Sequence, residues 1–353
     1  MPDAERRVNL HYSDPIVVLG AGAIGCGVAA ALANTGREIV VTSRWEDHRD
    51  AMNSLGLRLD TEAGRSCQVT VKALDPSELG SLRAPIKVAY LTAKSQGTEP
   101  YARLVRECLA PDGVVVSLQN GINVDALTSV LGTRKVIGGV ALFAARRTGP
   151  GEVMLTGKSS DVIIGELDGE ITDRLELIGG LTDNPPWTTR LTANITGTLW
   201  SKLVGNATVN PLSVVGGWTV GQLVSSKSIL RVLATMAAEA CAVAEASGAK
   251  LEELATMDIP SIAAAARHND TEAIEALLRE RPGGVFADTK PSSLQDFELG
   301  VPTELEWLGG YVEAKGSEIG VPTPTTSRVM SVARRLEGGE QRSQALIEEA
   351  LAG

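Results

Sequence analysis

The chain has 353 residues, 43% hydrophobic and 22% charged, with a formal net charge of −10. That length favours two domains over one, and the composition is that of a soluble globular protein. The acidic balance argues against nucleic acid and anionic membrane as main partners, and no apolar run reaches membrane-spanning length.

Met1 to Ser13 reads as a polar, loose arm without the apolar stretch of a secretory signal. Pro15-Ile16-Val17-Val18-Leu19 then suits a buried parallel strand. It runs into Gly20-Ala21-Gly22-Ala23-Ile24-Gly25, an alanine-rich helix to about Asn34, and a second strand over Glu38-Ile39-Val40-Val41-Thr42. Strand, glycine turn, helix and strand within about thirty residues is the context that a dinucleotide fingerprint requires. Gly20 permits the tight turn, Gly22 lets backbone N–H groups approach a pyrophosphate, and Gly25 lets the helix pack close to the strand. The residues from Gly20 to Gly25 are thus candidate cofactor ligands at a helix N-terminus.

The end of the second strand bears on which cofactor binds. A carboxylate there would bond the ribose hydroxyls of NAD, but the chain reads Thr42-Ser43-Arg44, with no acid until Glu46. An arginine suits a 2′-phosphate, so NADP(H) is favoured over NAD(H); the alternative is a solvated surface Arg44. Further strands are expected at Lys87 to Thr92 and Gly113 to Leu118, followed by Lys94 and by Asn120-Gly121. Ligands collect outside the carboxyl ends of such strands, so Lys94 and Asn120 are candidate cofactor contacts, with ordinary loop chemistry as the alternative. Val136 to Ala144 reads as one more strand. Glu152 to Leu155 with Asp161 to Gly165 reads as a hairpin-like pair, and Asn184-Pro185-Pro186-Trp187 as a breaker before a boundary near residue 192.

Helices alone follow. Leu199 to Ser213 is apolar at most positions yet carries Lys202, Asn206 and Asn210 at steps of four. A step of four turns about 400° on an α-helix, so the three line one slowly drifting stripe. Burying an ammonium and two amides is costly unless each finds a partner, which points to a polar ligand there. The bland alternative is a lysine snorkelling to water beside two asparagines. A long helix from about Ser228 to Ser247 comes next, then shorter helices over 251–280 separated by Pro260 and His268-Asn269-Asp270, and a loop at Arg281-Pro282-Gly283-Gly284. After Ser292-Ser293-Leu294-Gln295-Asp296, Glu304-Leu305-Glu306-Trp307 is placed on a helix running to about Gly316. A breaker at Gly320 to Pro324, one more helix and an acidic tail close the chain. The resulting division is a Rossmann-type NADP-binding domain over 14–192 and an all-helical substrate domain over 193–340, with tails at 1–13 and 341–353.

Four cysteines, Cys26, Cys67, Cys108 and Cys241, are scattered without metal-ligand spacing. They predict a reducing, cytoplasmic setting with no disulfide framework. His11, His48 and His268 are the only histidines, and none suggests a metal site or a hydride-transfer pair, so no metal is expected.

A dinucleotide fold followed by a helical domain resembles the 6-phosphogluconate-dehydrogenase-like class, and within it the ketopantoate reductase (2-dehydropantoate 2-reductase) family. The resemblance runs from about residue 15 to about residue 335. Its motifs are the GAGAIG turn with Arg44, Lys94, the Asn120-Gly121 pair, Leu199-Trp200-Ser201-Lys202 through Asn206 and Asn210-Pro211-Leu212, and the Ser292 to Asp296 run with Glu304 after it. The resemblance implies that Lys202 is the general acid and that Glu304 helps order lysine, substrate and nicotinamide. It implies that Asn206, Asn210 and Ser292 hold the substrate. The chemistry of the residues agrees. Reducing a 2-oxo acid needs a proton and a fixed cation at the carbonyl oxygen, and with no plausible histidine Lys202 is the natural candidate. An apolar setting lowers its pKa, and a nearby Glu304 opposes that shift.

Two positions depart from the family. Its members commonly carry an asparagine before a Gly-x-Leu, where this chain has Val220 before Gly221-Gln222-Leu223, and another where Thr289 stands. The segment 250–288 is also longer than is typical. The leading expectation is an NADPH-dependent reductase of a 2-oxo acid, ketopantoate first. Beside it stand a 2-hydroxy acid dehydrogenase with a less polar substrate, which Val220 and Thr289 favour, and a non-catalytic NADP-binding sensor. Pairing of helical domains into a homodimer is a further expectation from the class.

Overall fold

Ile16, Val17, Val18 and Leu19 are all fully buried, as a strand covered on both faces must be. In the computed structural model, which describes residues 7–254, 257–280 and 288–352, they open the first of two compact units, divided between Ile195 and Thr196. In chain order this unit runs β1 (Ile16–Leu19), α1 (Ala23–Ala33), β2 (Ile39–Thr42), α2 (Glu46–Leu55), β3 (Leu57–Thr61), β4 (Ser66–Val69), β5 (Lys72–Leu74), β6 (Ile86–Leu91), α3 (Thr98–Arg106), β7 (Leu109–Ser117), α4 (Val124–Leu131), β8 (Val136–Gly149), β9 (Glu152–Glu166), α5 (Asp173–Thr182) and β10 (Thr188–Leu191). The order β5-β2-β1-β6-β7-β8 is parallel throughout. It is the doubly wound arrangement in which the chain reverses direction across the sheet beside β1. β9 returns antiparallel along β8, β3 and β4 extend that edge, and β10 pairs with β9.

The stretches Glu152–Leu155 and Asp161–Gly165, expected to pair with each other, are two ends of the single strand β9. Their partner is β8, in a register from Ile137 opposite Glu166 to Gly149 opposite Glu152. The reversal lies at Pro150-Gly151, where Gly151 takes a φ of +71°, a conformation open to glycine at little cost. The alanines of α1 let it lie close under this sheet, with Val28 to Leu32 buried. Glu166 and Arg174 form a buried two-pronged ion pair, Nε to Oε1 at 2.7 Å and a terminal nitrogen to Oε2 at 2.6 Å. Thr172 donates to the same carboxylate, so the buried charge is fully partnered.

The second unit is helical: α6 (Ile195–Gly216), α7 (Val220–Ser225), α8 (Lys227–Ala246), α9 (Ile259–Arg267), α10 (Thr271–Glu280), α11 (Ser292–Glu298), α12 (Gly309–Ile319), α13 (Pro324–Glu337) and α14 (Gln344–Leu351). α8 is the hub on which α7, α9, α10, α12, α13 and α14 pack. Its Glu239 accepts from the N–H groups of Thr325 and Thr326, each at 2.8 Å, satisfying the free donors at the start of α13.

Three expectations need correction. Pro260 does not separate helices. It sits in the first turn of α9, where a missing N–H is harmless, and His268 to Asp270 make the break before α10. Glu304 is not on a helix but is the cap before a single 3-10 turn, Leu305–Trp307, that precedes α12. The residues from 341 onward are no loose tail. Arg342 donates to the carbonyls of Val214 and Val215 at 2.8 and 3.0 Å, and Leu346 and Ala350 are buried. A helix C-terminus leaves carbonyls without donors, and a guanidinium there fills that need for α6. The loop expected at Arg281-Pro282-Gly283-Gly284 and residues 1–6 of the arm lie outside the described residues.

Candidate functional site

The glycine turn behaves as its spacing demands. Gly20 has φ +107°, and a Cβ there would meet the Ala93 backbone at 2.7 Å. A Cβ on Gly25 would strike the Gly20 carbonyl at 2.0 Å. A Cβ on Gly22 would meet nothing within 4 Å, so this position is open. The start of α1 has no side-chain cap and no acid in its first turn, which leaves its first N–H groups without acceptors and ready for an anion. The open position beside uncapped N–H groups fits the diphosphate of a dinucleotide.

His48, which carries no signal in the sequence, helps hold this turn. Its Nδ1 accepts from Gly151 N–H at 2.8 Å, which leaves the proton on Nε2 to donate to the Ala21 carbonyl at 3.2 Å. Burial, and then the charge of Arg147, push its pKa down, in keeping with a neutral ring. Trp45 stacks on His48 with centroids 5.1 Å apart, and the Arg147 guanidinium lies 4.8 Å from the Trp45 centroid. Arg44 is exposed just beyond β2, and its charge reaches Asp75 and Tyr101.

Lys94, exposed, precedes the short 3-10 turn Ser95–Gly97 after β6. Asn120 follows β7 and is half-buried. A network that sequence reasoning misses fixes both loops. Gln119 Nε2 donates to the Ala93 carbonyl at 2.9 Å and to Thr98 Oγ1 at 2.8 Å. Asn123 Nδ2 and Ser95 Oγ donate to the Asn120 carbonyl at 2.7 and 3.1 Å. Their one sequence signal is the clustering of polar residues at strand ends, where burial leaves little room for solvent.

In the helical unit the stripe Lys202, Asn206 and Asn210 lies along α6. Lys202 is half-buried as a residue. Desolvation pulls its pKa from 10.5 down to about 8, and Glu304 pulls the other way. Glu304 itself is 4% exposed. The chain just beyond Glu304 packs on α6: a Cβ on Gly309 would stand 3.1 Å from Pro211, and Tyr311 meets Trp200 with centroids 5.7 Å apart. Those two contacts bracket Lys202 along the helix and seat the carboxylate near it.

Asn210 is otherwise engaged. Its Oδ1 accepts from Ser293 N–H at 3.1 Å and Ser292 Oγ at 3.4 Å, and its Nδ2 donates to the Asn206 carbonyl at 3.1 Å. It therefore anchors the start of α11 and positions Ser292, which is exposed. The Asn206 side chain makes no hydrogen bond among the described residues. Among those residues, no group of three or more His, Cys, Asp or Glu is arranged to hold a metal ion, and no helix is long and apolar enough to cross a membrane.

Comparison with known proteins bears on both units. Residues 16–169 match the family described as ketopantoate reductase PanE/ApbA, and residues 194–337 match the C-terminal part of the same family. The 2-dehydropantoate 2-reductases of Mesorhizobium japonicum and Archaeoglobus fulgidus are 28% and 24% identical to this chain. They align over 91% and 92% of it, and over 97% and 98% of their own lengths. Among solved structures, a PanE/ApbA family ketopantoate reductase from Ralstonia eutropha has a TM-score of 0.75 at 28% identity, covering 92% of this chain and 99% of that one. A D-mandelate dehydrogenase with NADH and anilino(oxo)acetate shares the fold, with a TM-score of 0.78 at 21% identity and the same coverage. With both parts matched in order over most of its length, the chain belongs to the ketopantoate reductase family.

Proposed function

We propose that the protein is an NADPH-dependent reductase that converts a 2-oxo acid to its 2-hydroxy acid, with Lys202 as general acid. The observation that supports this most is Lys202 itself: an amine on a largely apolar helix, with its pKa brought to about 8 by desolvation against the pull of buried Glu304. When bound, the nicotinamide cofactor supplies a hydride to the carbonyl carbon. The rest falls to the chain.

The turn from Gly20 to Gly25 receives the diphosphate. Arg44 takes the 2′-phosphate through charge-assisted bonds, which favours NADPH over NADH. Lys94 and Asn120 contact the cofactor from the strand ends. The Lys202 ammonium donates to the carbonyl oxygen as negative charge develops, then releases its proton to the alkoxide. With a pKa of about 8, about nine-tenths of it is charged at neutral pH, close to the optimum for a general acid. Glu304 steadies that cation. Ser292 and Asn206 hold the substrate, and Asn210 acts on the substrate by fixing Ser292. Relatives named 2-dehydropantoate 2-reductase make ketopantoate the reference substrate.

The test is NADPH oxidation by purified protein with ketopantoate and a panel of other 2-oxo acids, repeated with Lys202→Ala. Turnover that falls by about 10²–10⁴-fold in the variant while NADPH still binds is expected. Near-normal turnover without the lysine would remove it from catalysis. Nucleotide binding with no oxidation of NADPH by any 2-oxo acid, and no reverse reaction on hydroxy acids, would favour a nucleotide-binding sensor.

A further inference from the structure

Val220 and Thr289 lie far apart in sequence but meet in the structure. Val220 is the first residue of α7, capped by Thr219, whose hydroxyl accepts from the N–H of Gln222. An N–H in the first turn of a helix has no acceptor within the helix. The one on Val220 donates to the Thr289 carbonyl at 3.0 Å. Three residues past Thr289 stands Ser292, tied through Asn210 to α6. The positions where this chain carries neither amide therefore belong to one place beside the polar stripe.

A cavity of about 30 Å³ lies there, walled by Val209, Val220, Leu223, Met257 and Leu278, with Asp258 as its acid. Both Asp258 oxygens are already bound, Oδ1 by Ser261 N–H at 3.2 Å and Oδ2 by Ser261 Oγ at 2.8 Å. The walls therefore present hydrocarbon and sulfur. A cavity of this size holds one or two water-sized groups, and an apolar one stays dry and takes apolar guests. Its position relative to the catalytic stripe follows from helix geometry. At about 100° per residue, Val209 lies about 20° from Lys202 around α6, on the side away from Asn206 and Asn210. Met257 packs on the same flank, since a Cβ on Gly205 would sit 2.9 Å from its sulfur. Ser292 meets Asn210, which lies about 80° to the other side of Lys202 around the same helix. A substrate whose carbonyl meets Lys202 and whose carboxylate meets Ser292 directs its side chain toward Val209, Val220 and Met257.

We infer that this cavity is the side-chain subsite, and that the enzyme takes 2-oxo acids ending in a branched alkyl group in preference to ones bearing a terminal hydroxyl. This rests on the 2-oxo acid reductase reading above and adds the side-chain class. A hydroxyl brought into these walls loses its water and gains no partner, whereas a methyl group of the same size fills the space. Met257 and Leu278 bring walls of the subsite from the chain between α8 and α11.

The decisive pair of substrates is ketopantoate and 3,3-dimethyl-2-oxopentanoate, its isostere with methyl in place of hydroxyl. The wild-type protein with NADPH is expected to favour the isostere by tenfold or more in kcat/KM, and Val220→Asn is expected to reduce that ratio at least tenfold. Val224→Leu, which adds one methylene to the cavity wall, is expected to lower kcat/KM for the isostere by a larger factor than for pyruvate. A wild-type ratio at or below one overturns the inference and leaves the reductase reading standing. If no 2-oxo acid is reduced, the reductase reading fails. The subsite is then judged with NADP⁺ present by saturation-transfer NMR of pantoate against 2-hydroxy-3,3-dimethylpentanoate. Equal or absent binding of the two overturns it as well.

Discussion

Lys202→Met should make the protein more stable while abolishing its turnover. The side chain keeps its length and loses its charge. In the folded chain, desolvation holds the lysine pKa near 8 against 10.5 for a solvated lysine, with the attraction of Glu304 already counted. At about 1.4 kcal/mol per pH unit, that drop means the cation is disfavoured in the fold by about 3 kcal/mol. The sign follows from proton counts. Below about pH 8 the lysine is charged in both folded and unfolded chains, so the full penalty is felt. Between 8 and 10.5 the folded chain sheds the proton and the unfolded chain keeps it, so the penalty fades. The methionine variant should therefore exceed wild type by about 2–3 kcal/mol at pH 7, with the gap closing toward pH 10.5. Urea denaturation at pH 7 and pH 10, with kcat/KM at pH 7, measures this. A variant less stable than wild type at pH 7, or a gap unchanged between the two pH values, would refute the desolvated lysine.

With Lys202 as the proposed general acid, turnover in the reducing direction should fall about tenfold per pH unit above about 8, while hydroxy acid oxidation should rise toward that pH; initial rates in both directions check it. Gly22→Ala should leave the melting temperature unchanged, because its Cβ meets nothing, yet weaken dinucleotide binding tenfold or more in a titration. Gly25→Ala, which drives a Cβ into the Gly20 carbonyl, should lower stability as well. Asn210→Ala should raise KM more than it lowers kcat, because Ser292 loses its anchor. Arg174→Met should cost about 3–5 kcal/mol by stranding buried Glu166, and adding Glu166→Leu should recover most of it on denaturant curves.

The parallel core is legible in the sequence because its strands are fully apolar and its turn needs glycine at positions dictated by contact. The edges are not. β4 reads Ser66-Cys67-Gln68-Val69 and is largely exposed, so no alternation marks it; it exists because β3 offers unpaired backbone groups. β9 reads as two pieces because its apolar residues gather at its two ends. The strand forms one element because β8 pairs with both of its ends, over Asp161–Glu166 and again over Glu152–Thr156, a partner that local pattern does not encode. Glu304 reads as helical for want of a visible stop. The break comes from a local turn in which Thr303 Oγ1 accepts from Leu305 N–H, and from the close seating of Gly309 on Pro211, which is tertiary.

The candidate site shows the same divide. Lys202 and Asn206 stand out because polar residues on an apolar helix conflict with burial, and a conflict kept in a stable fold calls for a partner. Asn210 raises the same signal for a different cause. Its amide is spent inside the protein, capping α11, and spacing alone does not distinguish a side chain that meets a ligand from one that holds its neighbour. His48 raises no signal, because its partners are backbone groups of Gly151 and Ala21, which every residue possesses. A polar residue on an apolar helix declares itself by breaking the local pattern, whatever it bonds, while a polar residue within a polar stretch that holds a backbone in place breaks nothing. The second kind becomes visible only when the chain is folded, and here it includes His48, Gln119, Asn123 and Arg342, each bonded to the backbone of an element that carries an expected site residue.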